Sequence, residues 1–393
     1  MMRSVELFAG AGELGIGVSL AGFTPLVVIE RDRYCCDTLR ENQERHLWPL
    51  REWPIWEGDI GRFDYRSIHG NVDLISGGPP CQPFSLGGKH RGYKDSRDLF
   101  PEAVRAVREL RPKAFLFENV KGLTRSAFAP YLEYIKLQLS YPEIEREGSE
   151  TWFDHLRRLK RHHGSGISGG LHYNLVVEVL NAANFGVPQR RERVFFVGFR
   201  ADLGVEWCFP RETHSADALA WDQCRTGQYW ERHKVPRGLR VIAEHTRRRA
   251  DRRQEIPISF PWRTVRDTLE GLPDPELEPL TTEVYLNHRF QPGARSYPGH
   301  TGSPLDEPAK TLKAGVHGVP GGENMLLRPS GEVRYFTVRE SARLQSFPDN
   351  FLFHGSWTET MRQLGNAVPV TLAKLLATSI RDRLIAIDKA RAA

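Results

Sequence analysis

Cysteine is scarce and unpatterned in this chain. Its five residues, at 35, 36, 81, 208 and 224, include no Cys-x-x-Cys pair, so neither a disulfide framework nor a thiolate zinc site is expected. A reducing, cytoplasmic location is the expectation that follows. Long apolar runs are also missing, and none approaches the roughly 18 residues that a membrane-spanning helix needs. The chain passes from Met1-Met2-Arg3 straight into an apolar strand pattern, so no signal peptide is expected. Nor does one sign of charge dominate: 55 basic and 49 acidic residues leave a net +6. That small excess is concentrated. Arg225 to Arg266 holds eleven arginines and one lysine against Glu231, Glu244, Asp251 and Glu255, a local +8 that leaves the remainder at −2. One basic segment on a near-neutral body is the pattern of a nucleic-acid footprint, with a solvated arginine-rich helix as the plainer alternative.

What is present begins with a strand–turn–helix signal. A length of 393 residues and 40% apolar content suit two domains, or one large and one small. Ser4 to Phe8 predicts a strand, and Phe8-Ala9-Gly10-Ala11-Gly12-Glu13-Leu14-Gly15 turns it into a helix. A second strand, Pro25 to Ile29, ends on Glu30, and a third strand end supplies Asp59-Ile60. This order describes the opening of a Rossmann-type α/β fold. Glu13 stands in the glycine turn at the helix N-terminus, where it would repel a pyrophosphate. A phosphate-free, positively charged cofactor is therefore favoured, S-adenosylmethionine (SAM) over NAD or FAD, with Glu30 accepting from ribose hydroxyls.

The most chemically loaded stretch is Gly77-Gly78-Pro79-Pro80-Cys81-Gln82-Pro83-Phe84-Ser85, which follows a buried-strand pattern at Val72 to Ser76. The glycine pair is expected to let the backbone turn sharply, and the prolines to stiffen the exit. A lone cysteine is usually a small packed hydrophobe. Between two prolines and ahead of a polar loop, Cys81 finds little apolar packing and reads as a nucleophile. Leu86 to Asp98 is polar, basic and glycine-bearing, a predicted loop able to close over a phosphate backbone.

Farther along, a helix over about Leu99–Leu110 leads to a strand, Lys113 to Phe117, that ends on Glu118-Asn119 at the same rim as Cys81. Residues 138–170 read as a surface insertion without assignable chemistry. A strand at Tyr173 to Leu180 and a turn at Asn184 to Gln189 precede Arg190 to Phe199, a strand pattern carrying Arg191 and Arg193. Such arginines suit bidentate binding of a carbonyl oxygen, or a solvated edge. From about 205 to 335, Pro, Gly, Trp and Arg rise and periodicity weakens. A basic helix over Leu239–Glu255 and a β-like piece at Lys310 to Leu312 are predicted there. Thr337 is an expected N-cap with Glu340 as its capping-box partner, and a closing helix is expected over about Val370–Asp388.

Taken together, these segments resemble the cytosine-C5 DNA methyltransferase family of bacterial restriction-modification or phage defence. The resemblance rests on Phe8 to Gly12, Glu30, Asp59, Pro79 to Ser85, Glu118-Asn119-Val120, Gln189 to Arg193, Arg339 to Gln345 and Gln363 to Pro369, in the family's order. It implies an α/β fold: a Rossmann-like, SAM-dependent catalytic domain with a mixed, mostly parallel sheet, interrupted by a smaller, loop-rich target recognition domain. The expected bounds are 1–204 with 333–393 for the first and 205–332 for the second.

The resemblance also implies roles. Cys81 would add to C6 of a flipped-out cytosine, Glu118 would hold N3 and the exocyclic amine, and the Pro79 carbonyl would accept from that amine. Arg193 would bind O2, supported by Arg191. SAM would lie against Phe8, Gly10, Gly12, Glu30, Asp59, Ile60, Pro80, Leu99 and Asn366. Ser85, Lys89 and Arg97 are candidate phosphate contacts, and Arg289, Arg295, Lys313 and His317 are candidates for reading double-stranded DNA. No metal is implied, a monomer is expected, and a restriction endonuclease or other defence protein is a candidate partner. Glu13 and Arg31 depart from the family pattern, at positions where a glycine and an aromatic residue are frequent. Three rival functions compete with this one. A transfer-RNA cytosine methyltransferase would carry a Cys-Phe-Thr element, absent here. A catalytically inactive DNA-binding subunit would have lost Cys81, Glu118 or the glycines. An NAD-dependent oxidoreductase leaves Cys81, Glu118 and Arg193 unexplained.

Overall fold

Short apolar strands alternating with helices form one seven-stranded sheet in a computed structural model that describes residues 2–80, 98–166, 169–277, 284–314 and 324–392. Its strands are β1 (Met2–Leu7), β2 (Phe23–Glu30), β3 (Ile55–Glu57), β4 (Leu74–Gly77), β5 (Ala114–Val120), β6 (Tyr173–Asn181) and β7 (Glu192–Arg200), in the order β3-β2-β1-β4-β5-β7-β6. The first five run parallel, while β7 is antiparallel to both β5 and β6. Strand order reverses between β1 and β4, so the crevice for a ligand opens above their C-terminal ends.

Helices α1 (Glu13–Leu20), α2 (Arg33–Glu44), α3 (Phe100–Leu110), α4 (Ala129–Ser140) and α5 (Trp152–Gly164) connect or cover these strands. On one face, Val104, Val107, Ile135, Leu156 and Leu159 pack on Val5, Leu7, Ile75, Phe115 and Phe117. Within 138–170, expected as a surface insertion, α5 packs onto the sheet as a structural layer. A Thr151–Asp154 capping box starts α5, and apolar residues at helical spacing, Trp152, Leu156 and Leu159, bury one stripe against the core.

The intervening segment contains β8 (His214–Ser215), α6 (Ala216–Trp221), α7 (Gln228–Arg232), α8 (Glu244–Asp251), β9 (Phe260–Pro261), α9 (Val265–Leu269), β10 (Ser303–Pro304), β11 (Met325–Leu327) and β12 (Val333–Tyr335). Two small apolar clusters serve it, one around Leu219, Tyr229 and Trp230, the other around Val265, Leu312, Leu326 and Phe336. Val205 and Phe209 pack instead with the large sheet, and Phe336 with this segment. The basic helix is shorter than predicted. Only Thr246 and Ala250 of α8 are buried, and Ile256 precedes Pro257, which disfavours further helix. Lys310 to Leu312 forms no strand; an isolated bridge joins Gln189 to Ala309.

The chain then returns through α10 (Val338–Leu344), α11 (Trp357–Asn366) and α12 (Val370–Ala392). Thr337 caps α10 and Glu340 completes the box, as the sequence predicts. Leu372, Leu376, Ile380 and Leu384 of α12 are buried against α1 and the second face of the sheet, each contributing roughly 2 kcal/mol of apolar burial. That docking brings the C-terminal segment back to the strand ends.

Candidate active site

The β1–α1 turn shapes one wall of a cavity of about 440 Å³. Phe8, Gly10 and Gly12 adopt positive φ of 53°, 58° and 90°. At Gly12 a Cβ would come within 2.7 Å of Leu39 Cδ2 and 3.0 Å of a Trp53 ring carbon, so with its positive φ this turn favours glycine, and any side chain would push Leu39 and Trp53 aside. Glu30, at the end of β2, is held by three backbone donors. Its Oε2 accepts from Gly10 N at 2.7 Å, and its Oε1 from Arg31 N at 2.8 Å and Asp32 N at 2.7 Å. Burial nevertheless pushes its carboxyl above the usual range. Asp59 lies exposed at the next strand end with Oδ1 accepting from Gly61 N at 3.0 Å, beside buried Ile60.

The opposite wall comes from β4, β5 and β7. Neither Gly77 nor Gly78 has positive φ, which corrects the expectation of a sharp glycine turn. Gly77 is required by crowding: a Cβ there would lie 2.5 Å from the Leu7 carbonyl oxygen. Asn119 Nδ2 donates to the Pro79 carbonyl at 2.9 Å, fixing the proline segment to β5. Glu118 and Arg193 sit diagonally across the β5–β7 ladder, where Val120 faces Arg193. Arg193 Nε meets Glu118 Oε1 at 2.9 Å. Burial raises the Glu118 carboxyl, with Arg193 and Arg191 opposing that rise.

Arg191 is almost wholly buried, and its terminal nitrogens meet carbonyls instead of a carboxylate. Its Nη1 donates to the Leu312 carbonyl at 3.0 Å and its Nη2 to the Gly365 carbonyl at 2.8 Å. It joins the start of β7 to the loop at 312 and to the C-terminal end of α11, which carries Asn366. Two further buried acids adjoin the site. Glu6 accepts from the Ser76 hydroxyl across β1 and β4, and burial pushes its carboxyl up to about 7. Glu13 is pushed up to about 8, chiefly by burial.

Phe8, Gly10, Glu30, Asp59, Ile60, Pro80, Leu99, Glu118, Arg193 and Asn366 all line the one cavity, although they come from both ends of the chain. Gly12 shapes the turn from behind it, and Arg191 braces it. The readings at Cys81, Ser85, Lys89, Arg97 and His317 lie outside the described residues. Pro80 and Leu99, which flank the 81–97 segment, meet directly: Leu99 N donates to the Pro80 carbonyl at 3.1 Å. Arg289 and Arg295 are exposed and form no part of the cavity wall, and Lys313 is exposed with its backbone held by Asn324. Sequence reasoning passed over Asn119 and Glu6. The signal for Asn119 was its place beside Glu118, and for Glu6 a charge inside an otherwise apolar strand.

The lining suits a SAM-type cofactor on the chemistry of its donor set. Glu30 offers acceptor lone pairs for a diol, Ile60, Leu99 and Pro80 offer apolar surface, and an acid rather than a base occupies the helix N-terminus. Among the described residues no helix is long and apolar enough to cross a membrane.

Comparison with known proteins agrees with this geometry. The family described as C-5 cytosine-specific DNA methylase matches residues 2–141 and 168–382; the interval between the matches takes in α5. The chain is 32% identical over 392 residues to the Type II methyltransferase M.PspPI of Psychrobacter sp. (strain TA137), covering 98% of this chain and 80% of that protein. It is 31% identical over 392 residues to M.Eco47II of Escherichia coli, with the same coverage. Among solved structures, a proposed DNA modification methyltransferase encoded in an Escherichia coli prophage superposes with a TM-score of 0.60 at 21% identity, covering 98% of this chain and 100% of that one. The Dnmt2 methyltransferase of S. pombe gives 0.54 at 18% identity, covering 98% and 99%. These two likenesses are of fold.

Proposed function

The chain belongs to the C-5 cytosine-specific DNA methylase family, and from that premise we propose which of its residues carry the methylation of cytosine at C5. The protein is a DNA (cytosine-5-)-methyltransferase. Phe8, Gly10, Gly12, Glu30, Asp59, Ile60, Pro80, Leu99 and Asn366 would hold SAM, which when bound supplies an electrophilic methyl group. Cys81, next in sequence to Pro80, adds its thiolate to C6 of the target base; the ring's electron density moves toward N3 and C5 becomes nucleophilic. Glu118 holds a proton against N3, Arg193 binds O2, and Arg191 positions Arg193 and the Gly365–Asn366 end of α11. The Pro79 carbonyl, which already accepts from Asn119, has a second lone pair for the exocyclic amine. After methylation a base removes the C5 proton and the Cys81–C6 bond breaks.

The observation that carries this reading is the buried Glu118–Arg193 pair in the cavity wall. An acid and a guanidinium fixed side by side there match the proton and carbonyl demands of a flipped pyrimidine. The segment 205–332 serves target recognition on double-stranded DNA, with exposed Arg289, Arg295 and Lys313, together with His317, as base or phosphate contacts, and Ser85, Lys89 and Arg97 as further phosphate contacts. A monomer acting with DNA in the cytoplasm, alongside a cognate restriction endonuclease, accords with relatives that are Type II methyltransferases.

The test is methylation-sensitive sequencing of DNA from cells expressing the intact protein beside cells expressing Cys81→Ser. The expected outcome is 5-methylcytosine at one short motif with the intact protein and none with the variant. Equal methylation in both would overturn the role of Cys81. Absence of DNA methylation with transfer RNA modified instead would move the reading to RNA.

A further inference from the structure

Two acids of the cavity wall, Glu6 and Glu13, keep a buried carboxylate oxygen without a hydrogen-bond partner. Glu6 is tied through its other oxygen to the Ser76 hydroxyl within the sheet. The remaining acids are better supplied: Glu30 has three N–H donors, Glu118 has Arg193, and Asp59 has Gly61 N. Glu13 is only 7% exposed, and its Oε2 makes no hydrogen bond. Its carboxyl is folded under the glycine turn, so close that a Cβ on Gly10 would lie 3.1 Å from Oε1. A buried acceptor without a donor carries a desolvation penalty that a bound group would relieve. The titratable groups facing it are Glu30 at the end of β2, Glu118 on β5, Arg191 before β7 and the neutral thiol of Cys35 on α2; Glu6 of β1 also packs near, against Gly15 of α1. Both terminal nitrogens of Arg191 are engaged with backbone carbonyls, so the cation nearest in charge to Glu13 is committed elsewhere.

Position narrows what could fill this role. Glu13 shares the cavity wall with Glu30 and Glu118 and interacts electrostatically with both. Under the proposed function, the first marks the ribose end of the cofactor and the second the base to be methylated. In SAM the atom joining the ribose to the transferred methyl is a positively charged sulfur; in the demethylated product the same sulfur is neutral.

We propose that Glu13 distinguishes loaded from spent cofactor, its carboxylate compensating the sulfonium charge and so favouring SAM over S-adenosylhomocysteine. The inference rests on the reading of this cavity as the SAM site. Burial pushes the Glu13 carboxyl up to about 8. Arrival of a cation favours its ionised form, so SAM binding expels a proton to solvent while the neutral-sulfur product has no such effect. The sign follows: relative to the product, SAM affinity rises with pH until Glu13 is ionised without help, because titrations common to both ligands cancel in the comparison. The device makes the exchange of product for fresh cofactor favourable.

Calorimetric titration of the full chain with each ligand, between about pH 6 and about pH 9 in buffers of differing ionisation enthalpy, reads affinity and protons released together. The wild type is expected to gain roughly tenfold in SAM affinity relative to the product over that range, with extra proton release on SAM binding. Glu13→Gln is expected to flatten the SAM profile and lower the SAM-to-product preference roughly tenfold. Glu13→Gly is a second variant, and thermal midpoints establish that each is folded. Parallel pH profiles for the two ligands in the wild type would overturn the proposal, as would an unchanged preference in a folded variant. Failure of both ligands to bind the wild type would instead overturn the cofactor reading on which it rests.

Discussion

Around the cavity, Glu6, Glu13 and Glu118 are withdrawn from water and Glu30 is half-buried, and burial raises all four carboxyls. Around α8 the arginines lie at the surface, and much of their charge is answered locally. Arg249 and Arg253 both reach Asp217, Arg248 pairs with Glu244, Arg225 with Asp251, and Arg266 grips Asp306 through two nitrogens. Arg247 and Arg252, with Arg289 and Arg295, remain exposed to solvent. A few charges in a low dielectric therefore govern proton positions. Many charges in water govern only a screened field. The local +8 visible in the sequence overstates the basic surface, because aspartates outside the run, at 217 and 306, fold back onto it.

The contrast can be broken at several points. The largest effect is expected at Glu118: Glu118→Gln should lower kcat between about a hundredfold and ten-thousandfold with duplex binding retained, since a general acid–base group is lost. Single-turnover kinetics would check it, and full activity would remove Glu118 from the chemistry.

Next comes stability. Glu6 has a folded pKa of about 7 against an ordinary 4.5. The unfolded chain ionises first, so the neutral group's contribution is complete below pH 4.5 and is lost as pH rises to 7. Glu6→Gln should therefore match the wild type in acid and exceed it by about 3 kcal/mol above neutrality. Urea unfolding across pH reads the difference; a pH-independent offset would mean that Glu6 does not titrate in this window.

On the basic side, replacing Arg247, Arg252, Arg289 and Arg295 together by Gln should weaken binding to all duplexes alike. The salt slope should fall by roughly one unit for each phosphate no longer neutralised. An unchanged slope would return these residues to a solvated surface. The smallest effect is expected for Arg248→Gln, whose exposed helical pair with Glu244 is worth well under about 1 kcal/mol. A thermal midpoint indistinguishable from the wild type is the prediction, and a large drop would show that the surface pairs act as a network.

Local features were legible in order. The β1–α1 glycine turn, Glu30 at a strand end, Glu118 at the end of β5 and the Thr337–Glu340 cap depend on neighbours within a few positions, and short-range sterics and hydrogen bonding dictate them. The same holds for the reaction class, because the residue types demanded by C5 chemistry stand in recognisable local strings. The role of 138–170 was not legible, since the stripe of Trp152, Leu156 and Leu159 has meaning only once a sheet lies beneath it. Gly77 likewise reads as a turn residue until the Leu7 carbonyl is seen 2.5 Å from its missing Cβ.

The order of residues alone specifies which groups are available: a thiol, acids at strand ends, paired arginines and an arginine-rich segment. Their states were set by long-range packing. It joined Asn366 to Phe8 by docking α12 on α1, turned Arg191 into a brace between carbonyls, left one Glu13 oxygen without a partner and returned Asp217 to the arginines. Those outcomes depend on burial and on contacts between residues far apart in the chain. Dielectric and hydrogen-bond supply at a side chain are properties of the packed interior, not of its neighbours in sequence.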